Sequence, residues 1–207
     1  MRKTLFILCA ACALILTFSC SKDEPKDPYN GHEYVDLGLS VKWATCNVGA
    51  KSETDYGQYF AWGETSEKTD YTFDTYECNT KYDFTDGLTT LEEDDDPATA
   101  AWGSIWRTPT FDEIMELLDK CDWTWTTKNG VNGYTVTGNN GNSILLPAAG
   151  YRNGTELKNA GKNGYFWSSS LLAASPTFAS YFSFNSGSHD WNNANRIYGL
   201  SFRAVTE

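Results

Sequence analysis

"WGSIWRTPTFDEIMELLDKC", residues 102–121, is the stretch from which the fold is read. Thr110 followed three positions later by Glu113 fits a capping box, in which each side chain satisfies an orphan backbone N–H at a helix start. Phe111, Ile114, Leu117, Leu118 and Cys121 then recur at helical spacing and share one face. Asp112, Glu113 and Glu116 suit the N-terminal half of such a helix through its dipole, and are expected on its solvated side. One amphipathic helix is therefore expected here, and the sequence on either side of it is of another kind.

On the C-terminal side, "WTWTT" (123–127), "GYTVTG" (133–138), "SILLPAAG" (143–150), "YFWSSS" (165–170), "ASYFSFNS" (179–186) and "YGLSFRAV" (198–205) read as short strands. Asn-Gly pairs beginning at 129, 132, 140, 153 and 163 mark turns whose central residues need positive φ. In the last segment Leu200, Phe202 and Ala204 alternate with Ser201, Arg203 and Val205, as in a half-buried strand. On the N-terminal side, residues 32–49 read as two short strands with a turn at Gly38, and "GQYFAWGE" (57–64) as another. Between 65 and 101 the pattern gives way to Thr, Asp, Tyr and Gly, with an acidic cluster at Glu92–Asp96. That segment is expected to be an exposed polar insertion, with a short helix after Pro97. Strands, one or two helices, then more short strands give an α+β class with segregated helices.

The chain start is set apart from this domain. Arg2 and Lys3 precede an unbroken apolar run from Leu5 to Leu16. A membrane-spanning helix needs about 20 apolar residues, so the run reads as the core of a signal peptide over 1–19. Ser19-Cys20 then resembles a lipobox, with Cys20 the lipidated first residue of the mature protein. Bulky Phe18 departs from the usual pattern, and the alternative is an ordinary cleavage site. Residues 20–31, polar, charged and broken by Pro25 and Pro28, read as a tether. "SKDE" after the cysteine is similar to the charged export signal of Bacteroidetes surface lipoproteins. The expected location is the outer membrane, lipid-anchored and exposed to the exterior, with the periplasmic face as the alternative.

Removing residues 1–19 takes two basic side chains from the 16 in the chain, which leaves 14 against 27 acidic ones and a balance of −13. That field repels a polyphosphate backbone, so nucleic acid is not an expected partner. Membrane contact is expected through the anchor alone. Cys46, Cys78 and Cys121 remain after lipidation of Cys20. Cys46 with Cys121 is the expected disulfide, because both sit at the ends of core elements and Cys78 sits in the insertion, although spacing alone leaves the pairing open.

Six blocks in order, "VDLGLSVKWATCNVGA" (35–50), "YFAWGET" (59–65), "WRTPTFDEIMELL" (106–118), "NSILLPAAGYR" (142–152), "YFWSSS" (165–170) and "GLSFRAV" (199–205), resemble the Fibrobacter succinogenes major paralogous domain family. The resemblance covers about residue 32 to 207. It implies an exported protein with a C-type-lectin-like domain whose N- and C-terminal strands pair. It also implies a distant relation to formylglycine-generating enzymes. Two departures matter. The Glu-Pro-Asn or Gln-Pro-Asp motif of calcium-dependent lectins is absent, and Trp191-Asn192-Asn193 lacks the carboxylate of Trp-Asn-Asp. Calcium prefers six to eight oxygen ligands, several of them anionic, so no metal is expected. No cysteine follows Cys121, so the oxidase chemistry is not expected either.

"SHDWNNANRIYGLSF" (188–202) holds His189, one of two histidines. One histidine and one aspartate are too few for a zinc site. His189 and Asp190 are adjacent and would point to opposite faces of a strand, which argues against a Ser-His-Asp set with the serines of 168–170. No catalytic residue and no cofactor are assigned. The resemblance places the exposed ligand face between the late strands. The candidates there are Phe178, Tyr181, Ser183, His189, Asp190, Trp191, Asn192, Asn193, Asn195 and Tyr198. Trp191 and Tyr198 could stack on sugar rings or pack on a protein, while the asparagines donate and accept. Arg196 and Arg203 are read as structural and Trp167 as core. The expected function is a non-catalytic, adhesin-like binding domain for a glycan or protein ligand at the cell surface. A structural or accessory subunit of a surface complex is the alternative, and an enzyme is disfavoured.

Overall fold

A computed structural model describes Asp27 and residues 29–207. The expected signal peptide, Cys20 and most of the tether lie outside the described residues. The elements in chain order are β1 (Tyr34–Val35), β2 (Lys42–Ala44), α1 (Pro97–Trp102), α2 (Phe111–Lys120), β3 (Asp122–Lys128), β4 (Val131–Thr137), β5 (Ser143–Pro147), β6 (Tyr151–Asn153), β7 (Glu156–Lys158), β8 (Asn163–Leu171), β9 (Phe178–Asn185), β10 (Ser188–Asn195) and β11 (Val205–Thr206). The strands form four small antiparallel sheets, ordered β1-β2-β11, β3-β4-β5, β6-β7 and β8-β9-β10. The observed class is α+β, as the element order requires. The C-terminal strand does join an N-terminal one, but its partner is β2 and not β1, with Val205 opposite Trp43.

The capping box forms as read. The Thr110 hydroxyl accepts from the Glu113 N–H, and Glu113 accepts from the Thr110 N–H. Ile114 and Leu117 are buried, with Leu118 and Cys121 packed beside them. The carboxylates are less solvated than expected. Glu113 takes a bidentate contact from Arg107 at 2.6 and 2.8 Å. Glu116 accepts from the Ser40 backbone, the Ser40 hydroxyl and Lys120.

Of the five Asn-Gly pairs, those at 129, 140 and 153 are turns, with Gly130, Gly141 and Gly154 at positive φ. The pairs at 132 and 163 lie inside β4 and β8 instead. There the glycine serves close approach. A Cβ on Gly133 would stand 2.2 Å from the Leu146 carbonyl oxygen, and one on Gly164 would stand 2.2 Å from the Phe184 ring.

The 65–101 segment is not the exposed insertion expected. It has little regular structure, yet Tyr71, Tyr76 and Tyr82 are buried in the main apolar cluster with Trp62, Trp106 and Trp167. A phenol can enter such a core because its hydroxyl finds a partner. Tyr71 donates to the Tyr59 carbonyl at 2.6 Å and Tyr76 to that of Trp62 at 2.7 Å. Arg196 secures the segment from the other side. Its guanidinium donates to the carbonyls of Cys78 and Lys81 and lies over the rings of Trp62 and Tyr76. Tyr29 and Asn30, expected in the tether, pack against the domain. Asn30 donates to the Trp102 carbonyl, the Trp106 indole donates to the Tyr29 carbonyl, and His32 stacks on Trp102 at 4.0 Å.

The closing segment departs most from its sequence pattern. Residues 200–206 are buried on both faces, not one. Leu200 pairs with Phe60, Ser201 bridges to Tyr165 and Trp167 of β8, and Val205 pairs with β2 and Arg107. Arg203 therefore has no route to solvent. Its guanidinium donates to Asn47 Oδ1 twice (2.8 and 3.0 Å), to the Ala44 carbonyl (2.9 Å) and to the Leu145 carbonyl (2.9 Å). Burial pushes its pKa down to about 10, so it stays charged at neutral pH. The expected Cys46–Cys121 disulfide is absent, and both thiols are free, as is Cys78. Cys46 packs against the main cluster and Cys121 against the second cluster at the end of α2, so the two sit against different parts of the core.

Arg203→Met leaves buried acceptors on Ala44, Asn47 and Leu145 without donors. Each costs about 1–3 kcal/mol, so denaturant unfolding is expected to lose about 3 kcal/mol or more. A loss under about 1 kcal/mol would contradict the placement. Glu116 gives a pH signature. Burial pushes its carboxyl up, but hydrogen bonds from Lys120 and Ser40 prevail and hold it at about 2, below its ordinary 4.5. Its folded value lies below its unfolded one, so its stabilisation is present above about pH 4.5 and is lost as pH falls towards 2. The melting temperature of Glu116→Gln should fall less than that of the native chain across this window.

Candidate functional site

The late segment that sequence treats as a ligand loop is a β-hairpin, β9 and β10 joined at Ser186-Gly187. Its register places Trp191 opposite Phe182 and Asn192 opposite Tyr181. Side chains of neighbouring residues in a strand point to opposite faces, so the nine candidate residues on these strands divide into two groups, with Tyr198 following β10. His189, Trp191, Asn193, Asn195 and Phe178 share the face of Phe182 and Phe184, which packs into the second apolar cluster beneath α2. Asp190, Asn192, Ser183 and Tyr181 share the other face.

β10 is an edge strand. The Trp191 N–H donates to the Asp190 side chain at 2.8 Å, and the Asn193 N–H to the Asn192 side chain at 2.7 Å. These acceptors occupy edge donors that would otherwise recruit another strand. Asn195 plays a similar local part, accepting from the Ile197 N–H. His189 stacks on Trp123 at 4.6 Å with the rings 9° apart. Burial pushes its pKa below the usual value, against the pull of Asp190. Among the described residues no hydrogen bond joins His189 to a serine, and no three His, Cys, Asp or Glu side chains gather as a metal-ligand set.

On the core-side face, past His189, a cleft of about 410 Å³ opens between the hairpin, the start of α2 and residues 89–90, where Thr90 bridges to Ser170. Trp191 forms its wall, 42% exposed, with its ring edge-to-face against Phe111 at 4.9 Å. Asn193 Oδ1 accepts from the Ser180 hydroxyl at 2.8 Å, which fixes the amide at the edge of the cleft. Thr90 and Ser170 add hydroxyls and Leu172 an apolar floor. On the opposite face, Tyr151, Tyr165, Tyr181 and Tyr198 surround a cup of about 240 Å³ floored by Ala194 and Leu200. The Tyr151 ring stands edge-on to Tyr165 at 5.0 Å and to Tyr198 at 5.9 Å. Burial raises the Tyr181 phenol above its usual pKa, with Tyr165 and Tyr151 adding to the effect.

The structure thus brings Trp191 and Asn193 together in one site and Tyr181 and Tyr198 in another. Phe178, Ser183, His189, Asp190, Asn192 and Asn195 line neither. Sequence reasoning missed Tyr151, Tyr165, Phe111 and Ser180. Alternation within "YFWSSS" sets Tyr165 opposite in face to Phe166, and that signal was available. A third cavity, about 470 Å³, lies in the 63–95 region, and both of its lysines are already engaged. Lys68 pairs with Glu64, and Lys81 with Glu92 and Asp95. No family model, curated protein or solved structure matches the chain.

Trp191→Ala is expected to lower unfolding stability by no more than about 1 kcal/mol, since the side chain is half in solvent. Trp167, fully buried and donating to the Phe60 carbonyl, is expected to cost about 3–5 kcal/mol as alanine. Equal losses in chemical denaturation would refute the assignment of Trp191 to an open wall.

Proposed function

We propose that this chain is a lipid-anchored outer-membrane lipoprotein, facing the exterior through Cys20 and its tether. Its domain is of the C-type-lectin-like, Fibrobacter succinogenes major paralogous kind. It works as a non-catalytic, adhesin-like module that binds a glycan or protein ligand without metal or cofactor. The observation that carries the reading is the Trp191 cleft. A half-exposed indole stands beside the Asn193 side-chain amide, anchored by Ser180, and the hydroxyls of Thr90 and Ser170. An aromatic wall with a few fixed polar groups suits a sugar ring or a polypeptide side chain. The hairpin costs little to order on binding, because both its strands are already paired. The acidic balance keeps nucleic acid out of the ligand set.

The test is a binding panel of glycans, mucin and extracellular-matrix proteins against the full chain in mild detergent. Native protein is run beside the Trp191→Ala/Asn193→Ala double variant, with and without EDTA. The expected result is at least one ligand whose affinity falls about tenfold or more in the double variant and is unchanged by EDTA. An EDTA-sensitive ligand would overturn the metal-free reading. No ligand, or one indifferent to both substitutions, would move the function to a subunit of a surface assembly.

A further inference from the structure

We infer that the tyrosine cup is a second binding site, for a methylated ammonium group. The inference does not rest on the reading of the Trp191 cleft, which lies on the opposite face of the hairpin. Four aromatic rings, Tyr151, Tyr165, Tyr181 and Tyr198, wall a cavity whose floor is Ala194 and Leu200. Neighbouring rings are steeply inclined, at 64° for Tyr151 with Tyr165 and 71° for Tyr151 with Tyr198, so the walls face different directions around one space. At about 240 Å³ it is smaller than the roughly 300–1,000 Å³ of a drug-sized site, and suits a headgroup, not a whole ligand.

The chemistry of the lining decides the class. It contains no amide, carboxylate or guanidinium. Its only polar side-chain groups are the four phenol hydroxyls, and a sugar ring placed there would turn hydroxyls towards hydrocarbon and ring faces without partners, which is unfavourable. An anion would meet the negative faces of the rings. A methylated ammonium has no N–H to satisfy, carries apolar methyl groups into the cup, and is attracted by the ring quadrupoles. Elsewhere in this protein tyrosine faces already hold cations of the chain itself. Lys68 lies over Tyr71 and Tyr76, Lys81 over Tyr82, and Arg152 over Tyr59. The cup tyrosines hold no such cation among the described residues. The net charge of −11 favours the approach of a positive ligand.

Calorimetric titration of the full chain, in a maltoside detergent, tests this with choline and with neohexanol, its neutral carbon isostere. The expected result is binding of choline about tenfold tighter than neohexanol. Tyr181→Ala should weaken choline about tenfold, and Tyr181→Phe should leave it within about twofold, because the ring and not the hydroxyl makes the contact. Trp191→Ala/Asn193→Ala should leave it unchanged. No binding of choline, equal binding of the isostere, or loss in Tyr181→Phe would each overturn the inference. The isostere comparison uses native protein, so it decides the matter even if Tyr181→Ala does not fold. Phosphatidylcholine vesicles and a trimethyllysine peptide, run beside free choline, distinguish a lipid headgroup, a modified protein and a small solute as sources of the same group.

Discussion

A charged guanidinium with no access to water organises this molecule. Burying a charge is unfavourable unless it is well hydrogen-bonded, and Arg203 makes four hydrogen bonds, to two carbonyls and one side-chain amide drawn from two parts of the chain. Ala44 and Asn47 belong to the N-terminal region and Leu145 to β5. The closing segment is thereby fixed at the centre of the domain. From there Ser201 fixes β8, β8 pairs with β9, and β9 with β10. The position of the hairpin descends from that one side chain through a chain of backbone hydrogen bonds.

The hairpin register does the rest. In a two-faced strand a slip of one residue exchanges the faces, so the separation of a tryptophan cleft from a tyrosine cup is a consequence of pairing Trp191 with Phe182. Phe182 and Phe184 are buried, and their burial holds the register against such a slip. The proposed sites are built from residues that cost the fold little. Trp191 stands half in solvent, and the cup tyrosines are only partly buried.

Much of this was legible and some was not, for identifiable reasons. The helix at 111–120 announced itself by its cap and its apolar spacing, and the strands at 122–147 by alternation and the Asn129-Gly130 turn. β10 did not, because "SHDWNNAN" is polar on both faces of an edge strand and so lacks the period that burial imposes. Gly133 and Gly164 were read as turn residues, when close approach of Leu146 and Phe184 is what requires them. The tyrosines at 71, 76 and 82 sit among polar neighbours, and their burial depends on carbonyls supplied from residues 59 and 62 and on the side chain of Asp95. The cup draws on Tyr151 and Tyr198, which meet through the pairing of Arg152 with Gly199, a contact between distant segments that no local pattern carries.

The most direct measurement is the cross-strand register of the hairpin by nuclear Overhauser contacts in the folded protein. The N–H groups of Trp191 and Asn193 point away from β9, so the account predicts close Hα–Hα contacts between Trp191 and Phe182 and between Asn193 and Ser180. Contacts that instead join Asn192 to Phe182 would move every side chain of β10 to the other face. They would contradict both sites at once.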